Sequence, residues 1–221
     1  MILIAGCGFL GSYVAKYALE AGDEPVVATV RNSKGIIPLA RVKYVCCDIT
    51  DKKDLLKLRD ICAGENLTVF YFAACHSIDY IIDYKEEAFN INVTGLEHFL
   101  ENIPNIKKFF FASTDCVYGN GNERFTEDSP LNPVNEYGRQ KILAEEIVKR
   151  HGFTVLRYPF MLGKSLTGKP HFYDKITDCL LSGNTVEMID GMHRSVLSYS
   201  QAAELTFRLS QLPLLPDVIN I

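Results

Sequence analysis

Residues 1–22 read MILIAGCGFLGSYVAKYALEAG. Ile2, Leu3, Ile4 and Ala5 form an apolar run with the length and branching of a buried strand. The run passes straight into GCGFLG, where Gly6, Gly8 and Gly11 keep the G-x-G-x-x-G spacing. Leu10, Val14, Tyr17, Ala18 and Ala21 then recur on one helical stripe, which Gly22 closes. A strand, a glycine turn and a helix in succession open a βαβ unit. In that setting the first glycine permits a tight turn and the second lets a pyrophosphate approach the backbone. The third lets the helix pack closely, with its N-terminal residues Phe9 and Leu10 facing the phosphates. Dinucleotide binding is the expectation. The alternative is a tight turn in a fold that has lost its ligand.

The same rhythm continues along the chain. PVVATV, VKYVCC, TVFYFAA, KKFFFAS and FTVLRYP are further short runs rich in β-branched and aromatic residues. Helical patterns lie between them, in DKKDLLKLRDICAG and over 85–102 and 136–150. Such β-α alternation predicts an α/β fold, a Rossmann-type doubly wound parallel sheet with ligands outside the carboxyl ends of its strands. After Pro159 the pattern loosens. MLGKSLTGKP reads as a loop, 172–182 as a helix, TVEMI as a strand, 200–211 as a helix and PDVINI as a last strand. The division expected is a nucleotide-binding domain over 1–160 and a small, shortened C-terminal substrate lobe over 161–221.

Composition narrows the setting. The 221 residues suffice for one well-cored domain, and a net charge of −4 without a basic stripe argues against nucleic acid as partner. The opening apolar run is too short for a secretory leader, and no later run reaches spanning length. A soluble cytoplasmic protein without a membrane partner is therefore expected. The seven cysteines lack C-x-x-C pairs and metal-ligand spacing, so reduced thiols and no metal site are expected.

Several residues fall at predicted strand ends. Arg31 follows the second strand, where NAD-binding sites usually place an acid for the ribose 2′-hydroxyl. With Asn32, Ser33 and Lys34 beside it, the guanidinium suits a 2′-phosphate, which favours NADP, with NAD as the alternative. Asp48 follows the third strand, as an acceptor for the adenine amino group or as a helix cap. Ala73 and Ala74 end the fourth and would let a cofactor lie against the backbone, and His76 beyond them is a candidate substrate contact. Thr114 ends the fifth. Tyr137 and Lys141, four apart in NEYGRQK, leave one face of the next helix toward the same rim.

GCGFLG, FASTDCVYG and YGRQK, in this order, resemble the extended short-chain dehydrogenase/reductase family, the NAD-dependent epimerases, dehydratases and reductases of sugar nucleotides. NINVTGLEHFLE and LRYP match further landmarks, so the likeness covers essentially the whole chain. It implies that Tyr137 is the general acid/base, exchanging a proton with a sugar oxygen while hydride moves to or from a nicotinamide. A free phenol titrates near pH ~10, so it needs help near neutrality. Lys141 would favour phenolate and hold the cofactor ribose, and Thr114 would donate a hydrogen bond to the reacting oxygen. Pro159 of LRYP joins the cofactor contacts. Asp115 would face the substrate, and Arg194 of HRSVLSYS would grip the sugar-nucleotide phosphate. The chain departs from the family at Ala5, where the usual loop has glycine, and at Tyr199-Ser200, where relatives carry acids.

The family's dehydratases carry Asp-Glu after the catalytic Thr. Here Asp115 is followed by Cys116, which disfavours water elimination. Epimerases recycle a tightly held NAD, against which Arg31 argues. The reading preferred at this level is keto-sugar reduction, with the motifs most like the dTDP-4-dehydrorhamnose reductase branch. The alternatives are a sugar-nucleotide epimerase and a non-catalytic NADP-sensing module. The resemblance also implies a homodimer through the helices at 85–102 and 136–150.

Overall fold

Alternation along each strand assigns its side chains to two opposite layers. Leu3 and Ala5 enter one apolar cluster with Val69, Phe109, Phe111 and Val155, while Ile2 and Ile4 enter a second with Phe70, Phe110 and Leu156. Strands buried on both faces are the signature of a sheet covered by helices on each side. The computed structural model describes residues 1–32, 37–188, 190–191 and 193–221.

In chain order the elements are β1 (Ile2–Ala5), α1 (Phe9–Ala21), β2 (Val26–Val30), β3 (Val42–Cys46), α2 (Lys52–Ile61) and β4 (Leu67–Tyr71). Next come α3 (Ile78–Asp83), α4 (Lys85–Phe89), a π turn (Asn90–Thr94), α5 (Gly95–Asn102) and β5 (Ile106–Thr114). A 3₁₀ turn (Asp115–Val117), α6 (Glu136–Arg150), β6 (Thr154–Tyr158), β7 (Phe160–Leu162) and α7 (Phe172–Leu181) follow. β8 (Val196–Ser198), α8 (Tyr199–Ser210) and β9 (Val218–Asn220) complete the chain.

Seven strands form one sheet in the order β3-β2-β1-β4-β5-β6-β9, and every pairing in it is parallel. α2, α5 and α6 supply Leu55, Leu58, Leu96, Phe99, Ile147 and Val148 to one face. α1 and α8 cover the other with Leu10, Val14, Ala18, Ala202 and Ala203. This is the doubly wound Rossmann arrangement. Strand order reverses between β1 and β4, so the crevice for a ligand opens at their carboxyl ends.

Four details differ from the sequence expectation. The helix expected over 85–102 is interrupted by the π turn, in which Gly95 N donates to Asn90 O. The loop expected from Met161 begins inside β7, which pairs in parallel with β8. Thr185–Met188 of TVEMI are not a strand: among the described residues no strand pairs with them, and Met188 is 70% exposed, while Ile189 lies outside the described residues. Lastly, 161–221 does not lie wholly apart from the sheet domain. β9 is the seventh strand beside β6, and α8 packs on the β1–β4–β5–β6 face.

Candidate active site

The glycine loop follows β1 at the switch point. Gly6 sits at φ +93°, and a Cβ there would lie 2.5 Å from Ala73 N, so only glycine lets the turn meet the end of β4. A Cβ at Gly11 would lie 2.6 Å from Gly6 O, which fits close packing of the helix on the loop. Gly8 differs: its missing Cβ faces open space, and it is exposed. No side chain caps the N-terminus of α1 and no acid lies in its first turn. Open space before an uncapped helix end is what a diphosphate requires, and the dinucleotide fits this cradle. Thr29 of β2, buried and absent from the sequence reading, steadies the loop. Its Oγ1 accepts from Gly6 N at 2.9 Å and its carbonyl from Cys7 N at 2.7 Å.

Arg31 stands exposed at the end of β2 beside the crevice, and Ser33 and Lys34 lie outside the described residues. Asp48 follows β3, but its Oδ1 is engaged by Thr50 N at 2.9 Å and Thr50 Oγ1 at 2.7 Å. The cap of α2 is Asp51, which accepts from Lys53 N at 2.7 Å. The capping alternative for Asp48 is thereby corrected, since Asp51 is the residue next to the first turn.

Thr114 lies at the end of β5, and Tyr137 and Lys141 lie on the first turns of α6. Thr114 Oγ1 accepts from Cys116 N at 3.2 Å and donates to Asp115 Oδ1 at 3.2 Å. Asn135 caps α6 by accepting from Gly138 N at 2.8 Å. A Cβ on Gly138 would stand 2.8 Å from Cys116 O, so this glycine lets the first turn of α6 press against the turn after Thr114. Tyr137 is thereby brought beside it. Lys141, 3% exposed, donates to Ala112 O at 2.7 Å, with Nζ 4.4 Å from the Phe111 ring centre and 5.7 Å from that of Tyr137.

Electrostatics push the two members apart. Burial moves the Tyr137 phenol well above its ordinary range, and Cys116, Asp115 and Cys75 add to the effect. Burial lowers the Lys141 ammonium to about 7, against the Glu145 carboxylate, which raises it. Tyr137 alone is therefore a proton donor, and its deprotonation needs positive charge nearby. At the rim, desolvation and then the Lys141 charge hold His76 below the usual histidine range.

Arg194 reaches the same rim, although not as a free cation. Its Nη2 lies 3.0 and 3.1 Å from the two Asp115 oxygens, and the guanidinium covers the Phe160 ring at 5.2 Å. The segment before β8 is thus tied to the turn that carries Thr114. Pro159 lies half-buried between β6 and β7. Ala73 and Ala74 are half-buried beside the loop.

Sequence reasoning left Asn92 without a role, although NINVTG pointed to its segment. It is 2% exposed within the π turn. Its Oδ1 accepts from Cys75 N at 2.8 Å, while Nδ2 donates to Cys75 O at 2.9 Å and to the buried Gln140 Oε1 at 2.8 Å. This amide clamps the backbone after Ala73 and Ala74 and joins it to α6.

A parallel sheet with a glycine cradle at its switch point defines a Rossmann-type nucleotide-binding protein. Residues 2–203 match the NAD dependent epimerase/dehydratase family, and the chain belongs to it. It is similar to the UDP-glucose 4-epimerase of Lactobacillus helveticus, 30% identical over 181 residues that cover 76% of this chain and 53% of that protein. The UDP-glucose 4-epimerase of Yersinia enterocolitica is 27% identical over 228 residues, covering 86% of this chain and 67% of the relative. For the Mycoplasma genitalium UDP-glucose 4-epimerase the identity is 28%, over 66% of this chain and 46% of the relative. The chain thus spans about half the length of several curated relatives that it matches.

Among solved structures, the UDP-glucose 4-epimerase of Thermotoga maritima superposes with a TM-score of 0.87 at 24% identity, over all of this chain and 76% of that one. The UDP-glucuronic acid 4-epimerase of Bacillus cereus superposes at 0.84 and 22% identity, over all of this chain and 76% of that one. These likenesses concern the fold. The relatives named are 4-epimerases rather than dTDP-4-dehydrorhamnose reductases, so the branch suggested by the motifs is not the one matched. Among the described residues no helix is long and apolar enough to cross a membrane.

Proposed function

We infer that the chain is the nucleotide-binding and catalytic part of an NAD-dependent sugar-nucleotide 4-epimerase. The observation that carries this reading is Lys141 held between Ala112 O, two residues before Thr114, and the Tyr137 ring, in a chain whose similar proteins are 4-epimerases. The Thermotoga maritima structure was determined with UDP-glucose, and the Bacillus cereus one with UDP-glucuronic acid and NAD. A nicotinamide bound here would accept and return hydride at a sugar carbon. Tyr137 would move the proton at the sugar oxygen, with Lys141 supplying positive charge and Thr114 holding that oxygen. Gly6, Gly8, Gly11 and the α1 N-terminus would hold the diphosphate, with Ala73, Ala74 and Pro159 lining the cofactor. Asp48 would lie on the adenine side. His76, Asp115 and Arg194 would face the sugar nucleotide, Arg194 leaving Asp115 if it engages a phosphate. The segment 161–198 would complete that side. Phe89 and Leu143, 38% and 43% exposed on α4 and α6, offer apolar contacts for a homodimer.

Arg31 favours a second reading, keto-sugar reduction with a dissociable NADPH, because no acid stands at the end of β2 to bind a ribose 2′-hydroxyl. One experiment separates the two. The purified protein is denatured and its released nucleotide identified, then UDP-glucose is incubated with native protein and assayed for UDP-galactose. Co-purified NAD and inversion at C4 are expected of the wild type, and Tyr137→Phe is expected to keep the NAD and lose the inversion. Empty protein that binds NADPH and reduces keto-sugars would replace the epimerase by the reductase. No nucleotide bound at all would leave a fold without chemistry.

A further inference from the structure

One helical turn beyond Lys141, and on the same face of α6, lies Glu145, which is fully buried. Its Oε2 accepts from Arg157 Nη2 at 2.6 Å, and its Oε1 from Arg157 Nε at 3.0 Å. Ser113 Oγ, one residue before Thr114, also donates to Oε1. Arg157 is itself 4% exposed, and its Nη1 donates to Tyr118 Oη at 2.8 Å, which donates in turn to Asn220 Oδ1 at 2.7 Å. A buried carboxylate is thus held by side chains of two strands, one helical turn from a buried ammonium.

Stability is a weak reason for this arrangement. Replacing a buried ion pair by well-packed apolar residues is commonly neutral or stabilising, because desolvation offsets the Coulombic gain. The placement accounts for it better. Lys141 is surrounded by the Phe111 ring, the Ala112 carbonyl and the Tyr137 ring. His76, after β4, feels its charge, and Asp115, Cys116 and Cys75 bear on Tyr137 rather than on Lys141. Glu145 is the carboxylate whose charge acts on the ammonium against its burial.

We propose that Glu145 is a positioning residue for the proton transfer at Tyr137: held by Arg157 and Ser113, its carboxylate keeps Lys141 an ammonium docked on Ala112 O. This rests on the epimerase reading for its purpose, but its test does not. Full-length, cofactor-free protein with labelled lysine is titrated by NMR, the Lys141 signal being assigned by its loss in Lys141→Met. In Glu145→Gln the Lys141 midpoint is expected to fall by about one pH unit, a tenfold loss of ammonium above the midpoint, with the other lysines unmoved. Glu145→Asp is expected to restore it. Should Glu145→Gln fail to fold, the double variant Glu145→Met/Arg157→Met removes the carboxylate together with its guanidinium, and a smaller fall in the same direction is expected, because it is Glu145 whose charge bears on Lys141. An unchanged midpoint in whichever variant folds overturns the proposal, as does failure of both to fold, which would confine the pair to folding. Because neither cofactor nor turnover is read, this result and that of the epimerase assay stand separately.

Discussion

Lys141 shows what burying a charged side chain costs the fold. The folded ammonium titrates at about 7, whereas an unfolded lysine titrates near pH ~10.4. Between these values the unfolded chain binds more protons, so this group makes stability rise with pH across the window. Below about 7 both states are charged and the full penalty of burial, roughly 4 kcal/mol, is present. Lys141→Met should therefore stabilise the protein at pH 6, by about 2 kcal/mol once the lost bond to Ala112 O is allowed for. The gain should shrink as pH approaches the unfolded value. Urea melts of both proteins at pH 6 and near pH 9.5 measure this, and a variant no more stable at pH 6 would contradict it. Loss of turnover in the same variant would show stability exchanged for chemistry. The Tyr137–Lys141 spacing was legible because a helix puts i and i+4 on one face. The burial of Lys141 was not, since it depends on Phe111 and Ala112 of a distant strand.

At the scale of elements, the π turn between α4 and α5 is the feature that a helical pattern conceals. Its extra residue turns Asn92 inward, where three hydrogen bonds tie the end of β4 to α6. Asn92→Ala would leave the Cys75 backbone and the buried Gln140 short of partners, costing about 3 kcal/mol. It should also weaken dinucleotide binding, because Ala73 then loses its support against Gly6. Thermal melts and a cofactor titration together test this. Full affinity at reduced stability would restrict Asn92 to the fold. Thr185–Met188, expected to belong to a strand, teach the converse lesson. Apolar alternation proposes a strand, but only a neighbouring edge makes one, and β7 had its edge in β8.

For the whole molecule, the last strand of the sheet returns to its edge beside β6. β9 pairs with β6, and Asn220 completes the hydrogen-bonded line from Tyr118 through Arg157 to Glu145. Assembly belongs to this scale too. If two copies meet through α4–α5 and α6, Leu143→Glu places a charge in the interface and should shift sedimentation from dimer to monomer with the melt unchanged. A wild-type protein that sediments as a monomer at micromolar concentration would remove the dimer.

The alternation of the first six strands with their helices, the switch-point loop and the placing of Tyr137 and Lys141 on one helical face were legible in the sequence alone. Each of these rests on local periodicity or on a spacing that backbone geometry converts into position, whereas the roles of Thr114, Tyr137 and Lys141 came from the resemblance to the family. Tertiary structure decided which charges face one another. It paired Arg194 with Asp115, engaged Asp48 with Thr50, and set Glu145 under Lys141 with Arg157 as its counter-ion. These pairings join residues from separate elements, and their strength depends on burial, which no run of neighbours along the chain specifies.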